Sequence, residues 1–326
     1  MEHTTIWRLF RINWIVLGAL AAVLVVGMWA GGFSFGLAGA LLSYGFVALY
    51  GAFALYNAKA PGRGDPQIVY VLGCTAQIVL ATCIMAPLTY VAAAVNLPLQ
   101  DANLYAIDQA LGLDWRGYVT LVSQHPVLAR WLTLGYAMIQ WPIFIIPVVL
   151  AAVHQYRRLQ EFILAFTLAL AVTALVSAFV PAIGVFQHLG LQVTDFPNIN
   201  GGAYLAQLRD LPPVRAGTIR HLELFGLAGL VTFPSFHAAS AALYAWALWP
   251  VRWLRTIAIV ANGAMLAATP IDGGHYFIDL IAGVAIAAAA IAAARLASRR
   301  CGMRAAELVP AACVATAAVS ASRTPA

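Results

Sequence analysis

The sequence predicts an all-α fold: a polytopic membrane helix bundle with about eight transmembrane helices. Composition is the first reason, because 63% of the 326 residues are hydrophobic and only 9% are charged, whereas a typical soluble domain has about 25% charged residues. Mean hydropathy is +0.85. The second reason is that long apolar runs of about 20 residues recur, each able to cross a ~30 Å hydrocarbon core as a helix.

Eight runs are predicted as spans, and the seventh is the shortest. They cover residues 14–32, 36–56, 68–95, 127–151, 162–180, 233–250, 256–271 and 276–294. The first run is too long for the apolar part of a cleaved signal peptide, so we expect it to be retained as a span. Of the connectors, 96–126 is amphipathic and is expected along the membrane interface, and 181–230 is the longest polar stretch.

The basic residues predict the orientation. If the chain starts inside and crosses eight times, thirteen of its eighteen Lys and Arg residues lie inside and five outside. Cytoplasmic loops carry this kind of excess. We therefore expect a multi-pass protein of the plasma (inner) membrane with both termini cytoplasmic. The net charge of +6 follows from this topology. No basic stripe interleaved with aromatic residues is present, so nucleic acid is not an expected partner.

The cysteines predict neither a metal site nor a redox site. Cys74, Cys83, Cys301 and Cys313 lack the spacing of metal ligands or of a redox pair, and the first two lie inside an apolar run. We expect them to act as small buried apolar side chains. No metal and no cofactor is predicted.

Two histidines stand at the beginning of apolar runs, and the eight-span topology places both on the outer face. The stretch "TFPSFHAAS" contains His237, and "GGHYFID" contains His275 and Asp279. An aspartate inside a membrane segment is costly. At position i+4 from His275 it shares a helix face with the imidazole, where it would fix the tautomer and raise the basicity of the ring.

The residues around these histidines favour an anion. Pro234 suits the first turn of a helix, where free N–H groups and the helix dipole attract phosphate. Ser235 lies beside it, and Gly273 and Gly274 would let backbone N–H groups approach the same anion. Such a set suits phosphoryl transfer through a phosphohistidine, in which one imidazole attacks phosphorus and the other protonates the leaving alcohol.

These motifs resemble a known family. "PSFH" at 234–237 followed by "GGHYFID" at 273–279 is similar to the second and third signature motifs of the type 2 phosphatidic acid phosphatase superfamily. The resemblance implies a six-helix core and phosphate-ester chemistry without a metal. It also implies that His275 is the nucleophile, Asp279 its orienting partner and His237 the acid toward the leaving group, with Ser235 binding phosphate.

Two departures point to one branch of that family. The first family motif, a Lys followed after six residues by Arg-Pro, is not present in the sequence, and Ala268-Thr269 replaces the usual Ser-Arg. A Thr269 followed by "HYFID" is similar to the inositol phosphorylceramide synthase branch, which transfers a phosphoinositol headgroup between lipids. The stretches "FVPAIG" at 179–184 and "DANLYAIDQALGLDW" at 101–115 also resemble bacterial members of that branch.

With the family arginines missing, the phosphate needs other donors. Arg209, Arg215 and Arg220 lie on the predicted outer side, and we expect Arg215 and Arg220, with Thr269, to contribute to the substrate site. Plainer roles stay open: a helix cap for Ser235, a lipid-headgroup anchor for each arginine, and helix–helix hydrogen bonding for Thr269.

The predicted organisation has three parts. Residues 1–66 form an N-terminal transmembrane hairpin, 67–295 a catalytic membrane domain of the phosphatidic acid phosphatase type, and 296–326 a disordered cytoplasmic tail. The expected partners are the bilayer and a phospholipid or polyprenyl phosphate substrate. No protein partner is implied.

Function divides into a leading hypothesis and two alternatives. The leading hypothesis is a lipid phosphatase or lipid headgroup phosphotransferase at the periplasmic or extracellular face. A haem-binding membrane electron carrier would instead use His237 and His275 as axial ligands, leaving Asp279 unexplained. A proton-coupled transporter would use Asp279 as its proton site, yet the sequence shows no inverted repeat.

Overall fold

Helices make up nearly all of the ordered structure, as the composition predicts. The computed structural model describes residues 2–59 and 65–321, with side chains described for 3–59 and 65–303. Two two-residue strands, β1 (Ser34–Phe35) and β2 (His221–Leu222), pair in parallel. Thirteen α-helices are described: α1 (Glu2–Gly31), α2 (Leu37–Lys59), α3 (Pro66–Ala94), α4 (Asp101–Ala110), α5 (Trp115–Ser123), α6 (Pro126–Ala137), α7 (Trp141–Ala152), α8 (Tyr156–Phe179), α9 (Val185–His188), α10 (Gly202–Arg215), α11 (Phe236–Leu248), α12 (Arg255–Asp272) and α13 (Phe277–Ala321).

Local sequence signals start several of these helices. Asp65 caps α3, its carboxylate accepting the N–H of Gln67 at 2.8 Å, and Pro66 occupies the first turn. Proline is suited to that position because its missing N–H would have no partner inside the helix. Asp114 caps α5 in the same way, accepting the N–H of Gly117 at 2.9 Å.

Seven helical segments among the described residues are long and apolar enough to span a membrane. They are His3–Gly31, Leu37–Lys59, Pro66–Ala94, Pro126–Ala152, Tyr156–Phe179, Arg252–Asp272 and Phe277–Met303. The fold class is therefore confirmed. The segment predicted as a sixth span, 233–250, contains α11, which has only 13 residues and a length of about 20 Å. It is too short for a full span, and its N-cap Ser235 is fully buried, so the helix begins inside the bundle.

The helix core is built around α8 and α11. α11 packs against α8, α12 and α13, while α8 also packs against α1 and α3. A large buried cluster joins these helices, including Leu159, Phe162, Phe166 and Tyr244. α1 thus packs directly on the remaining helices, and α2 contacts α3. The predicted domain boundary at residue 66 stays a prediction.

The two ends of the bundle differ in charge. At one end Arg8 Nη1 donates to the carbonyl of Cys301 (3.2 Å) and Arg157 Nε donates to Ser298 Oγ (2.7 Å). The beginnings of α1 and α8 therefore meet the later part of α13. We call this the basic end. The opposite end, which we call the histidine end, holds α4, α5, the connector between α8 and α11, and both predicted catalytic histidines.

The last helix continues into the predicted tail. α13 continues without a break past residue 295, and Ser298 is buried, accepting its bond from Arg157. Residues 296–303 are thus helical rather than disordered. The rest of the predicted tail, 304–326, lies outside the residues whose side chains are described, and so does Cys313. Of the other cysteines, Cys74, Cys83 and Cys301 are free.

Candidate active site

His275 and Asp279 form a buried pair at the junction of α12 and α13. His275 Nδ1 lies 3.1 Å from Asp279 Oδ2, which also accepts the backbone N–H of Tyr276 at 3.0 Å. Both side chains are buried, with Asp279 fully enclosed. Because a carboxylate accepts hydrogen bonds, Nδ1 carries the proton and Nε2 keeps a free lone pair. This is the arrangement of a histidine nucleophile or base held by an aspartate.

α11 brings the second histidine to the same place. The N–H of Ser235 donates to the backbone carbonyl of Asp279 at 3.0 Å, which fixes the start of α11 beside the start of α13. Gly283 permits this approach, because a Cβ there would collide with the carbonyl oxygen of Ser235. His237, in the first turn of α11, therefore points toward the region of His275.

Both histidines line one cavity of about 510 Å³ at the histidine end. Its walls come from α3, α6, α8, α10, the segment before α11, the first turn of α11, and the junction of α12 and α13. Most of the lining is apolar, which suits a lipid chain. Polar lining residues besides the histidines are Thr82, Thr89, Tyr136, Gln140, Thr173 and Gln207. No Lys or Arg is among the described residues that line this cavity.

Tyr136 is a site residue that the sequence did not reveal. Its ring stacks on the imidazole of His237, with centroids 3.9 Å apart and planes at 15°. Its hydroxyl lies close to Gly273, where a Cβ would be 2.9 Å from that oxygen and 2.5 Å from His275 Cδ2. Gly273 thus leaves the space in which Tyr136 and His275 come together.

The glycine pair acts differently from the prediction. We expected Gly273 and Gly274 to offer their N–H groups to phosphate. Instead these groups donate to the carbonyls of Thr269 (3.2 Å) and Ile271 (3.3 Å) at the end of α12. Gly274 has a φ of +63°, and a Cβ on it would meet the Tyr204 ring at 2.7 Å. Their role is therefore close packing and a tight turn.

Ser235 caps a helix, as its plainer role predicts, whereas Thr269 bonds within its own helix rather than to another one. Ser235 Oγ caps α11 by accepting the N–H of Ala238 at 3.3 Å, and Ser235 is fully buried. Thr269 Oγ1 donates to the carbonyl of Met265 at 2.7 Å, one turn earlier in α12. Neither residue lines the histidine cavity. A buried hydroxyl usually finds a partner nearby, which explains why both turn to the backbone.

The two predicted arginines are not brought to the histidines. Arg215 Nη2 donates to the carbonyl of Leu97 at 2.8 Å. Arg220 Nη1 donates to two backbone carbonyls, those of Val214 and Ile219, and its guanidinium lies over the Phe33 ring. The reason is topological: β2 follows Arg220 immediately and pairs with β1, which holds this stretch against the α1–α2 connection.

Two aspartates of α4 hold the turn that carries the pair. Asp108 is fully buried and accepts the N–H groups of Phe277 (2.7 Å) and Ile278 (2.8 Å), so it caps the start of α13. Asp101 lies seven residues earlier on the same face of α4, and its carboxylate accepts a hydrogen bond from the hydroxyl of Tyr276 at 2.9 Å. Burial raises the pKa of Asp108, while the two backbone bonds act in the opposite direction.

Asp101 also joins the two stretches that flank the site. It accepts the N–H groups of Ile183 (3.1 Å) and Gly184 (2.9 Å), and the next N–H, of Val185, donates to the carbonyl of Gly274 at 2.9 Å. The turn at 181–185 is therefore bonded both to α4 and to the histidine turn. The signal in the sequence was the seven-residue spacing of two aspartates on one helix face.

Comparison with known families identifies the chain. A family model described as the PAP2 superfamily matches residues 102–293, which is more than half of the sequence. The range contains His237, His275, Asp279 and Asp108, and it begins one residue after Asp101. The chain belongs to the PAP2 superfamily. The resemblance of "PSFH" and "GGHYFID" is thereby confirmed at the level of the superfamily, and the inositol phosphorylceramide synthase branch stays a prediction.

Two further comparisons found nothing: no curated protein and no solved structure matches the chain. Membership of the PAP2 superfamily, whose members are phosphatases and phosphotransferases, supports an enzyme and favours phosphate-ester chemistry over the haem and transporter hypotheses. Among the residues that the structure describes, no three His, Cys, Asp or Glu side chains are grouped to hold a metal ion.

Proposed function

We propose that this PAP2 superfamily protein is an integral membrane enzyme that acts on a lipid phosphate ester through a phosphohistidine on His275. The observation that carries the proposal is that His275, held at Nδ1 by Asp279, and His237 line the same cavity. One imidazole has a free nitrogen for attack, and the other stands where a leaving group would take up a proton.

The reaction proceeds in two steps. In the first, Nε2 of His275 attacks phosphorus, the bond from phosphorus to the lipid alcohol breaks, and His237 gives its proton to the leaving oxygen. In the second, water or an acceptor hydroxyl attacks phosphorus, the N–P bond breaks, and His237 takes the proton of the incoming group. Asp279 stabilises the positive charge that develops on His275.

The first turn of α11, rather than a set of arginines, provides the groups that would bind the phosphate. Phe236 and His237 begin this helix and line the cavity. N–H groups in a first turn have no acceptor within their own helix, and together with the helix dipole they attract an anion. Ser235 fixes this turn as its cap, which gives it an indirect part in binding.

The substrate is a lipid because the rest of the cavity is apolar. α3 and α8 supply much of its wall, with Met85, Ala86, Leu170 and Ala174 among the lining residues. A phospholipid or a polyprenyl phosphate would place its chain there and its phosphate between the histidines. The similarity of "HYFID" after Thr269 to headgroup transferases favours transfer to a lipid hydroxyl over hydrolysis.

The test uses purified protein in detergent with a chelator present. Phosphatidic acid, phosphatidylinositol and a polyprenyl phosphate are each supplied with and without ceramide or diacylglycerol, and both free phosphate and new lipids are measured. Free phosphate without an acceptor identifies a phosphatase. A new phospholipid that forms only with an acceptor identifies a transferase whose site excludes water.

The intermediate is tested separately. Brief incubation with a substrate labelled in its phosphate, followed by denaturation in alkali, should leave label on the protein, because phosphohistidine survives alkali and is lost in acid. The variant His275→Ala should carry no label. Label that persists in this variant would contradict His275 as the nucleophile, although it would still indicate a covalent intermediate.

A further inference from the structure

A second pocket lies at the basic end, remote from the histidine cavity. Its volume is about 350 Å³, and it lies between the beginning of α8, the residues just after α11, and α13. The lining residues are Gln155, Arg157, Arg158, Glu161, Pro250, Arg295 and Arg299. Four arginines and one glutamate give this lining a formal charge of +3.

Glu161, the one acidic residue among those that line this pocket, is already paired with an arginine. Glu161 Oε1 accepts a bond from Arg157 Nε at 3.2 Å, and the same Nε donates to Ser298 Oγ at 2.7 Å. Arg158 lies over the Trp246 ring at 3.6 Å and donates through Nη2 to the Trp246 carbonyl. Its Nε is enclosed and has no partner among the described residues. The pocket therefore gathers more positive charge than its own groups neutralise.

The two arginines on α13 carry the least satisfied charge. Arg295 and Arg299 are exposed and form no hydrogen bond or ion pair with any residue that the structure describes. They lie four residues apart on one helix face, where like charges repel. Leu296, beside Arg295, is 48% exposed, so an apolar surface adjoins the charged one.

We propose that this pocket binds the phosphate group of an anionic lipid from the leaflet opposite the histidine cavity. Guanidinium groups bind phosphate oxygens in pairs with a matching planar geometry. Basic pockets between transmembrane helices are suited to anionic headgroups. A lipid fits better than a soluble phosphate, because the pocket lies at the end of spanning helices beside an exposed leucine.

The experiment compares two double variants of the full chain in detergent. Arg295→Gln with Arg299→Gln removes two charges from the pocket. The matched control, Arg252→Gln with Arg300→Gln, removes two exposed arginines from the same end that do not line the pocket. Binding of short-chain phosphatidylglycerol, phosphatidylcholine and inorganic phosphate is measured by calorimetry, and a single symmetric peak in size-exclusion chromatography verifies folding.

We expect phosphatidylglycerol to bind the unchanged protein well above phosphatidylcholine. The pocket variant should lose about tenfold in affinity, whereas the control should stay within about twofold. Equal losses in both variants would mean diffuse surface charge and overturn the site. Equal binding of the two lipids would overturn the role of anionic charge. Inorganic phosphate binding as tightly as phosphatidylglycerol would overturn the lipid assignment. The comparison of the two double variants is independent of the chemistry proposed for the histidines, because neither variant changes a residue that lines the histidine cavity.

Discussion

The two histidines differ in what holds them, and this difference supports the roles proposed for them. His275 is fixed through Nδ1 by a buried carboxylate, while His237 is fixed by the flat face of Tyr136. A ring held by a carboxylate gains basicity, which suits attack on phosphorus. A ring held by stacking keeps both nitrogens free for proton exchange, which suits an acid and base.

The first prediction separates these roles by the leaving group. His237→Ala should reduce turnover of a lipid phosphate by about 10²–10⁴-fold, the usual contribution of general acid catalysis. With a nitrophenyl phosphate the loss should be far smaller, since a good leaving group needs no proton. Turnover of both substrates is measured side by side. Equal losses would argue against His237 as the acid, and His275→Ala should abolish both reactions.

The second prediction concerns Gly273. Its φ of −90° is open to any residue, so alanine is penalised there only by its neighbours, His275 and Tyr136. We expect Gly273→Ala to displace the imidazole and lower kcat by about 100-fold, the scale of a 1 Å misplacement.

The control for Gly273→Ala is Gly263→Ala in the same helix, where a Cβ meets nothing within 4 Å. This variant should keep full activity and gain slightly in thermal stability, because alanine favours a helix interior. Unchanged kcat in Gly273→Ala would show that the close approach at that glycine does not position His275.

At the scale of the elements, α4 positions the catalytic turn from outside. Asp108 accepts two N–H groups of the first turn of α13, and Asp101 holds Tyr276 and the turn at 181–185. Neither carboxylate lines the cavity. We therefore regard both as positioning residues, Asp108 acting through the first turn of α13 and Asp101 through Tyr276 and the turn at 181–185.

The third prediction tests that role. Asp108→Asn keeps the shape but loses a charged acceptor at a helix N-terminus, and we expect kcat to fall about tenfold with KM unchanged. Asp114→Ala removes the equivalent cap of α5 and should leave kcat as it was. If Asp108→Asn lowered only the melting temperature, its contribution would be to stability alone.

The sequence predicted the parts of the site that are local in the chain. The four-residue spacing correctly paired His275 with Asp279, although His275 lies in the turn before α13 and only Asp279 lies in the first turn of that helix. The predicted phosphate donors were less accurate, because long-range pairing sets the path of the connector between α8 and α11. The pairing of β2 with β1 keeps Arg220 over the Phe33 ring. Tyr136 gave no signal, since its contact with His237 exists only once α6 packs against α12.

At the scale of the whole molecule, the separation of the basic end from the histidine end indicates how the helices cross the membrane. α1 and α8 start at the basic end, and α11 and α13 run away from the histidine end, so the short α11 still reaches from the site to Arg158. The seven spans by length and the eight predicted by pattern differ only at this helix. Counting α11 as a crossing preserves the orientation inferred from the basic residues, with the histidine end on the outer face.

The last prediction tests that orientation. In a background with all four cysteines replaced by alanine, Gln109→Cys marks an exposed position on α4 at the histidine end, and Arg252→Cys marks the basic end. A thiol reagent that cannot cross membranes is applied to right-side-out vesicles. We expect it to label the first variant at once and the second only after detergent, because an excess of basic residues is retained on the cytoplasmic side. The opposite pattern would place the histidines in the cytoplasm, where the substrate would have to come from the inner leaflet and the anionic lipid of the basic end from the outer one.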